Sequence, residues 1–294
     1  MATKLIIVEG LPGSGKSTTA RLVYDNLISN GVNAVIYSEG DYNHPADYEG
    51  VAYFNYEEFN DLKQNHPERS QLLDNIKVEH FEGYLLPYRK AVEERQLSFD
   101  ESLFHDIVNK DIYELPIEVH KRLILERWRS FVNNHSERDT VFVFECCFIQ
   151  NPITVSMIKN NSAKDVTMRH IKRLEEIIDS LEPILIYVKQ KDIGKSFAKA
   201  VSERPKAWFE GFKDYYTNQG YGLHNKLTDV DGIVQILEAR SALELDVYES
   251  LEITKYVIEN SEFDFVSLQE KVNAIIEKHG GQLENISVRR RCHR

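Results

Sequence analysis

The sequence predicts an α/β fold built on a parallel sheet. Short apolar runs typical of buried strands alternate with segments of helical periodicity, and a glycine-rich loop joins the first run to the first helical segment. The composition is that of a globular chain, with 42% hydrophobic and 28% charged residues in 294. That length suits one α/β domain that carries a large insertion as well as it suits two domains.

Each element of the predicted sheet follows from a local pattern. The first helix is predicted to begin at Gly15 and to end at Asn30-Gly31, because glycine after asparagine is a common helix stop. Later segments repeat apolar residues at spacings of three and four, which predicts helices that cover the sheet. The five candidate strands are Leu5–Val8, Ala34–Tyr37, Val141–Phe144, Ile184–Val188 and Ile253–Ile258.

The stretch 41–115 interrupts this alternation. It shows no strand-like run, and short helical patterns such as Tyr56–Leu62 and Tyr84–Val92 fill it. Aromatic residues are concentrated there, and most are expected in a core, with some lining a pocket. We therefore predict a single domain over 1–294 in which 41–115 is a mostly helical insertion that binds substrate.

Charge and cysteine content limit the partners and the compartment. Lys plus Arg number 36 against 47 Asp plus Glu, and the net charge of −11 disfavours nucleic acid and anionic membranes. Three cysteines, Cys146, Cys147 and Cys292, give neither a disulfide framework nor a metal-ligand spacing. We expect a cytoplasmic protein without a membrane span. The sequence leaves the oligomeric state open, with a homodimer as one alternative. The arginine-rich tail Val288–Arg294 is expected to be a solvated end.

The strongest motif is a glycine-rich loop that matches G-x-x-x-x-G-K-[S/T] at every fixed position. It lies between a predicted strand and a predicted helix, so backbone N–H groups and the helix N-terminus would face bound phosphates. Lys16 is expected to reach the β- and γ-phosphates, and the Ser17 hydroxyl to ligate Mg²⁺. ATP and Mg²⁺ are therefore the predicted ligands. The loop reads Gly10, Leu11, Pro12, Gly13, Ser14, Gly15, Lys16, Ser17, Thr18.

Length, motif order and spacing resemble the P-loop small-molecule kinases, the superfamily of nucleoside, nucleotide and shikimate or gluconate kinases. The nearest string to the guanine motif N-K-x-D, at 225–229, is one residue too long, and no LSGGQ-like string occurs. GTPases and ABC transporter ATPases are therefore disfavoured. The resemblance implies a three-layer P-loop NTPase fold with a five-stranded parallel sheet in the order 2-3-1-4-5. It also implies substrate-binding residues after the second strand, an acidic residue ending the third, and a basic lid after the fourth.

Carboxylates follow the second predicted strand, at the sheet edge beside the phosphate loop. Either Glu39 or Asp41 could accept a proton from a substrate hydroxyl, and Asp41 is the assigned catalytic residue. The string Gly40-Asp41-x-x-His44-Pro45 looks like the G-D-x-x-H pattern of gluconate kinases, which places His44 among the substrate-binding residues. A polar loop with a helix-capping aspartate is the alternative interpretation.

Glu145 ends the third strand in a Walker-B arrangement, and its carboxylate is predicted to bind Mg²⁺ through the water shell of the ion or to help position the acceptor. After the fourth strand, the basic segment 189–206 matches the lid that the resemblance implies, with Arg204 as the catalytic candidate. A solvated helix face is the alternative for these basic residues. Arg127, in the predicted helix Ile117–Val132, is a further candidate for holding substrate, with a surface ion pair as the alternative.

The sequence thus predicts a kinase that transfers the γ-phosphoryl group of Mg-ATP to a small-molecule acceptor, such as a nucleoside or a nucleotide. A sugar-acid kinase is one alternative, because of the Gly40–Pro45 string. A second alternative is a regulatory P-loop ATPase that binds partners and phosphorylates no small molecule, because the phosphate-loop motif indicates the ligand but not the reaction.

Overall fold

A computed structural model describes residues 3–137 and 139–280. These residues form two compact units. Unit 1 comprises the described residues up to Glu39 and from Trp128 onward, and unit 2 comprises Gly40–Arg127. The tail Val288–Arg294 and Cys292 lie outside the described residues.

Strands and helices alternate through most of the described chain. The strands are β1 (Leu5–Gly10), β2 (Ala34–Tyr37), β3 (Ala52–Asn55), β4 (Val78–His80), β5 (Gly83–Leu86), β6 (Val141–Glu145), β7 (Ile184–Lys189) and β8 (Thr254–Glu259). The α-helices are α1 (Lys16–Ser29), α2 (Tyr56–Asn65), α3 (Ser70–Ile76), α4 (Tyr88–Arg95), α5 (Glu101–Val108), α6 (Ile117–His135), α7 (Gln150–Ile153), α8 (Lys164–Ile178), α9 (Ile193–Glu203), α10 (Lys206–Thr217), α11 (Gly220–His224), α12 (Asp229–Ser250) and α13 (Phe265–Lys278).

Unit 1 contains a five-stranded parallel sheet in the order β2-β6-β1-β7-β8. This confirms the predicted α/β class and the five-stranded parallel sheet. Counted within the sheet alone, the strand order is second, third, first, fourth, fifth. The central strand β1 pairs Val8 with Glu145 of β6 and Glu9 with Tyr187 of β7, so the carboxyl ends of these three strands lie together.

Both faces of the sheet are covered by helices, which explains why its strands read as continuous apolar runs. On one face Ile6 and Val8 pack with Val23 of α1 and Val272 of α13. On the other face aromatic rings dominate, with Trp128 and Phe131 of α6 against Phe142 and Phe144 of β6. The arrangement is compatible with a three-layer fold.

Unit 2 contains the whole stretch 41–115, and the expectation that no strand interrupts that stretch is wrong. A three-stranded antiparallel sheet in the order β3-β5-β4 lies among the helices of this unit. Its strands have only three or four residues, too few for alternation to stand out. Asn55 ends β3 and also caps α2, since its side chain accepts a hydrogen bond from the Glu58 N–H at 2.8 Å.

Within residues 3–137 and 139–280, no helix combines the length and the apolar character that crossing a membrane requires.

Candidate functional site

The phosphate loop occupies the carboxyl end of β1 and leads directly into α1 in unit 1. Its three glycines adopt positive φ angles, 145° at Gly10, 83° at Gly13 and 98° at Gly15, which other residues rarely adopt. A Cβ on Gly10 would lie 2.4 Å from the Val188 carbonyl oxygen. The sequence therefore needs glycine here to bring the loop close to the sheet.

Lys16 and Ser17 form the first turn of α1, which carries no acidic residue. Because no carboxylate of this turn occupies the positive end of the helix dipole, that end favours a bound anion. The Lys16 side chain is buried, and its ammonium donates to the carbonyl of Leu11 in the loop at 3.2 Å. Ser17 and Thr18 are exposed at the start of the helix. These two residues and the loop backbone thus surround the position at which phosphates are predicted to bind.

Glu145 lies beside Ser17 at the end of β6. Its side chain is buried, and its Oε1 accepts a hydrogen bond from the Ser17 hydroxyl at 2.5 Å. Its Oε2 accepts a longer bond, 3.4 Å, from the backbone N–H of Glu39. The structure therefore brings together three of the predicted residues, one from each of α1, β6 and the loop after β2.

The Glu39 carboxylate is exposed and is held by a glutamine that the sequence analysis did not single out. Gln150, the first residue of α7, donates from its Nε2 to the Glu39 Oε1 at 3.1 Å. The Gln150 side chain is buried, and its Oε1 has no hydrogen-bond partner. Its position five residues after Glu145 is the only sequence signal that could have indicated it.

A buried ionic network fixes the segment around Gln150. The fully buried Glu9 carboxylate accepts the backbone N–H groups of Phe148, Ile149 and Gln150 at 2.7, 3.0 and 2.9 Å. Burial raises the pKa of Glu9 from 4.5 to about 7, although these three bonds act to lower it. Arg240 of α12, also fully buried, donates to the Gln150 carbonyl at 2.9 Å.

The partners of Arg240 extend the network. Its Nε donates to Glu244 at 2.7 Å, and its Nη1 donates to the Tyr216 hydroxyl. The Tyr187 hydroxyl donates to the other oxygen of Glu244 at 2.8 Å. Such a network is stable only when its members are satisfied, so α10, α12 and β7 all constrain the position of Gln150.

Two buried amides hold the phosphate loop from the other side. Gln190 follows β7, Asn260 follows β8, and each donates to the Ser14 carbonyl at 2.9 Å. Gln190 also donates to the Asn260 carbonyl at 2.9 Å and accepts from the Ser196 hydroxyl of α9 at 2.8 Å. Because a Cβ on Gly13 would lie 2.9 Å from Ala200 Cβ, α9 packs directly on the loop.

The basic residues of the predicted lid segment 189–206 lie at the end of β7, in the loop after it, on α9, and from the C-cap of α9 to the start of α10. Arg204 ends α9 in extended backbone, and its guanidinium lies 4.3 Å from the ring centroid of Trp208. Lys199 forms an ion pair with Glu203 and lies 4.6 Å from the Phe263 ring. Arg204 thus directly follows α9, the helix that packs on the phosphate loop, and its guanidinium lies over the Trp208 ring.

The other three predicted site residues belong to unit 2. Asp41 Oδ1 accepts the Asn43 N–H at 2.8 Å, which closes a turn. Arg127 donates to the His44 carbonyl at 2.8 Å and lies 5.0 Å from the Tyr48 ring centroid. Burial, with the charge of Arg127, lowers the pKa of His44 to about 3, so this histidine is neutral at physiological pH.

Comparison with known proteins adds no relative to this description. No protein-family model matches the chain. A search of curated proteins also finds no match. Membership of the kinase superfamily therefore stays a prediction that rests on the motifs of the sequence.

Proposed function

We propose that the protein is a kinase that transfers the γ-phosphoryl group of Mg-ATP to a small-molecule acceptor. The observation that carries the proposal is the 2.5 Å hydrogen bond from Ser17 to Glu145. It joins the last fixed position of the phosphate-loop motif to an acidic residue at the end of the neighbouring strand. Phosphoryl transfer needs these two groups side by side to organise a phosphate-bound metal ion.

The strand order gives independent support. Within the sheet it is second, third, first, fourth, fifth. This is the order that the resemblance to the P-loop small-molecule kinases implies. It also puts the phosphate loop on the central strand, between β6 with Glu145 and β7 with the loop-holding Gln190. Ligands of open α/β sheets bind at this carboxyl edge.

The residues at this edge fit Mg²⁺. The hydroxyl of Ser17 and the carboxylate of Glu145 are oxygen donors of the kind that Mg²⁺ prefers. We propose that they hold the ion, Ser17 directly and Glu145 through its water shell. Bound there, Mg²⁺ would neutralise charge on the β- and γ-phosphates.

The chain's own residues account for the remaining tasks. The loop backbone and the N-terminus of α1 bind the phosphates, and Lys16 stabilises the charge that develops on them. The acceptor hydroxyl oxygen attacks the γ-phosphorus, the bond to the β–γ bridging oxygen breaks, and ADP leaves with that electron pair. We propose that the hydroxyl proton passes to the carboxylate of Glu39, because Glu39 lies beside Glu145 within unit 1, where its backbone N–H donates to the Glu145 Oε2.

The experiment is Mg-ATP-dependent ADP release across nucleosides, nucleoside monophosphates, sugar acids and aminoglycosides. Lys16→Ala is the blank, and Lys4→Ala, a lysine at the opposite end of β1, is the matched control. We expect one class of acceptor to stimulate ADP release in the wild type and in Lys4→Ala, and none in Lys16→Ala. Stimulation that survives in Lys16→Ala would refute the phosphate-loop assignment. Slow ATP hydrolysis that no acceptor changes would indicate a regulatory ATPase instead.

A further inference from the structure

The buried amide oxygen of Gln150 lacks a hydrogen-bond partner. Every other polar atom of this residue has one. Its N–H donates to Glu9, its carbonyl accepts from Arg240 and from the Thr154 hydroxyl at 2.8 Å, and its Nε2 donates to Glu39. Only Oε1 is left buried and unpaired. An unpaired buried acceptor destabilises the folded protein, and a ligand that supplies a donor there gains binding energy.

The orientation of the Gln150 amide follows from its neighbour. An ionised carboxylate can only accept hydrogen bonds, so the nitrogen of the amide must face Glu39 and the oxygen must face away. Turning the amide over would place two acceptors in contact. The unpaired group is therefore an oxygen, and it needs a donor.

The backbone of Gln150 is held in place, which limits where its amide oxygen can find a donor within the protein. Its backbone is held by the buried Glu9 carboxylate on one side and by the buried Arg240 guanidinium on the other. Arg240 is itself fixed by Glu244 and Tyr216. A network of buried charged groups is costly to build, and here it fixes the backbone of the residue whose amide nitrogen contacts the carboxylate of Glu39.

We propose that Glu39 and Gln150 bind the acceptor, and that the acceptor is an alcohol with a second hydrogen-bond donor, a hydroxyl or amino group, next to the phosphorylated hydroxyl. Glu39 takes the reacting hydroxyl and the Gln150 Oε1 takes the second donor. This inference rests on the proposed kinase function and names the substrate class of that site. Vicinal diols and amino alcohols have this chemistry.

The same groups disfavour an acceptor that is itself a phosphate. Glu39, Glu145 and the Gln150 Oε1 all offer acceptor oxygens. Within the described part of unit 1, no lysine or arginine side chain is bonded to the carboxylate of Glu39 or to that of Glu145. A phosphate monoester brings only acceptors and negative charge, so it would be repelled. The structure therefore favours a nucleoside, sugar or amino sugar over a nucleoside monophosphate.

The test uses the acceptor identified by the panel together with its analogue that lacks the neighbouring donor, such as the deoxy or O-methyl compound. The variant is Gln150→Met, which keeps the length of the side chain and removes the amide. Gln235→Met, at an exposed glutamine of α12, is the matched control. The steady-state KM and kcat are measured for both acceptors and for ATP.

In the wild type, the analogue should be a worse substrate than the full acceptor by about 10- to 100-fold in kcat/KM, because it leaves the buried oxygen unpaired. Gln150→Met should lose a similar factor with the full acceptor, lose little further with the analogue, and keep the ATP KM. This non-additivity identifies a direct contact, since a purely structural defect would affect both acceptors equally. Gln235→Met should behave as the wild type.

The two proposals fail in different ways. Transfer to a nucleoside monophosphate but to no alcohol would leave the kinase standing and overturn the substrate class. Equal losses for both acceptors in Gln150→Met would overturn the contact with Gln150. If no acceptor stimulates ADP release in the wild type, the kinase proposal itself fails and this inference fails with it.

Discussion

Replacing Glu9 by glutamine should change how the stability of the protein depends on pH. The Glu9 carboxyl is fully buried, and burial raises its pKa from 4.5 to about 7. The three backbone N–H groups that it accepts oppose this rise, and the negative charge of Glu244 adds to it. The carboxyl is therefore protonated more readily in the folded protein than in the unfolded chain.

The sign of the effect follows from that difference. Between pH 4.5 and about 7 the folded protein binds more protons than the unfolded chain at this position, so the free energy of unfolding falls as the pH rises. The contribution of Glu9 is complete below pH 4.5 and is lost by about pH 7. At about 1.4 kcal/mol for each pH unit between the two pKa values, the loss is about 3 kcal/mol.

The assay is urea unfolding at pH 5, 6, 7 and 8 for the wild type, Glu9→Gln and the control Glu238→Gln, at an exposed position of α12. A glutamine side chain carries no titrating proton but loses one acceptor for the backbone, which lowers stability by a constant amount. From pH 5 to pH 8 the stability of Glu9→Gln should therefore rise relative to the wild type by about 2.5 kcal/mol. Glu238→Gln should show no such trend. Parallel curves for Glu9→Gln and the wild type would refute the reasoning.

Two further predictions concern the candidate site. In steady-state assays with the identified acceptor, Glu39→Gln should lower kcat about 100-fold with the ATP KM unchanged. Asp41→Asn keeps the oxygen that accepts the Asn43 N–H and should lower kcat less than about 10-fold. The reverse ranking would indicate that Asp41 is the base. Gln190→Leu removes three hydrogen bonds, those donated to the Ser14 and Asn260 carbonyls and the one accepted from the Ser196 hydroxyl. It should lower stability by about 2 kcal/mol and weaken ATP binding. Urea unfolding and ATP titration measure both effects, and unchanged ATP affinity would show that the loop keeps its shape without Gln190.

The parts of the structure that were predictable have local signals. The three central strands of the five-stranded sheet, β6, β1 and β7, are buried on both faces and so read as apolar runs. The first helix was predicted from Gly15 to Asn30 and spans Lys16–Ser29. The pairing of Ser17 with Glu145 was implied because a motif after one strand and an acid after its neighbour must meet at one edge.

The parts that were not predictable depend on residues distant in sequence. Arg240 and Glu244, four residues apart on α12, have the spacing of an ordinary surface ion pair, yet both are fully buried. Their burial depends on Tyr187 and Tyr216, which come from other elements. The same holds for Gln150, whose role is visible only once Glu39 is placed beside it. In unit 2 the missed strands are short and gain their stability from packing rather than from pattern.

Three amides, Gln150, Gln190 and Asn260, follow the strands β6, β7 and β8 of the sheet. Two of them contact only groups that do not titrate, whereas the third is anchored on a carboxyl group that does. Gln190 and Asn260 hold the Ser14 carbonyl, and neither changes charge at any pH. These two contacts with the phosphate loop are therefore unaffected by pH. Gln150 is also neutral, but its backbone is anchored on Glu9, whose pKa is about 7. Acceptor binding should consequently be the pH-sensitive step near neutrality, while the loop that receives the phosphates keeps its geometry.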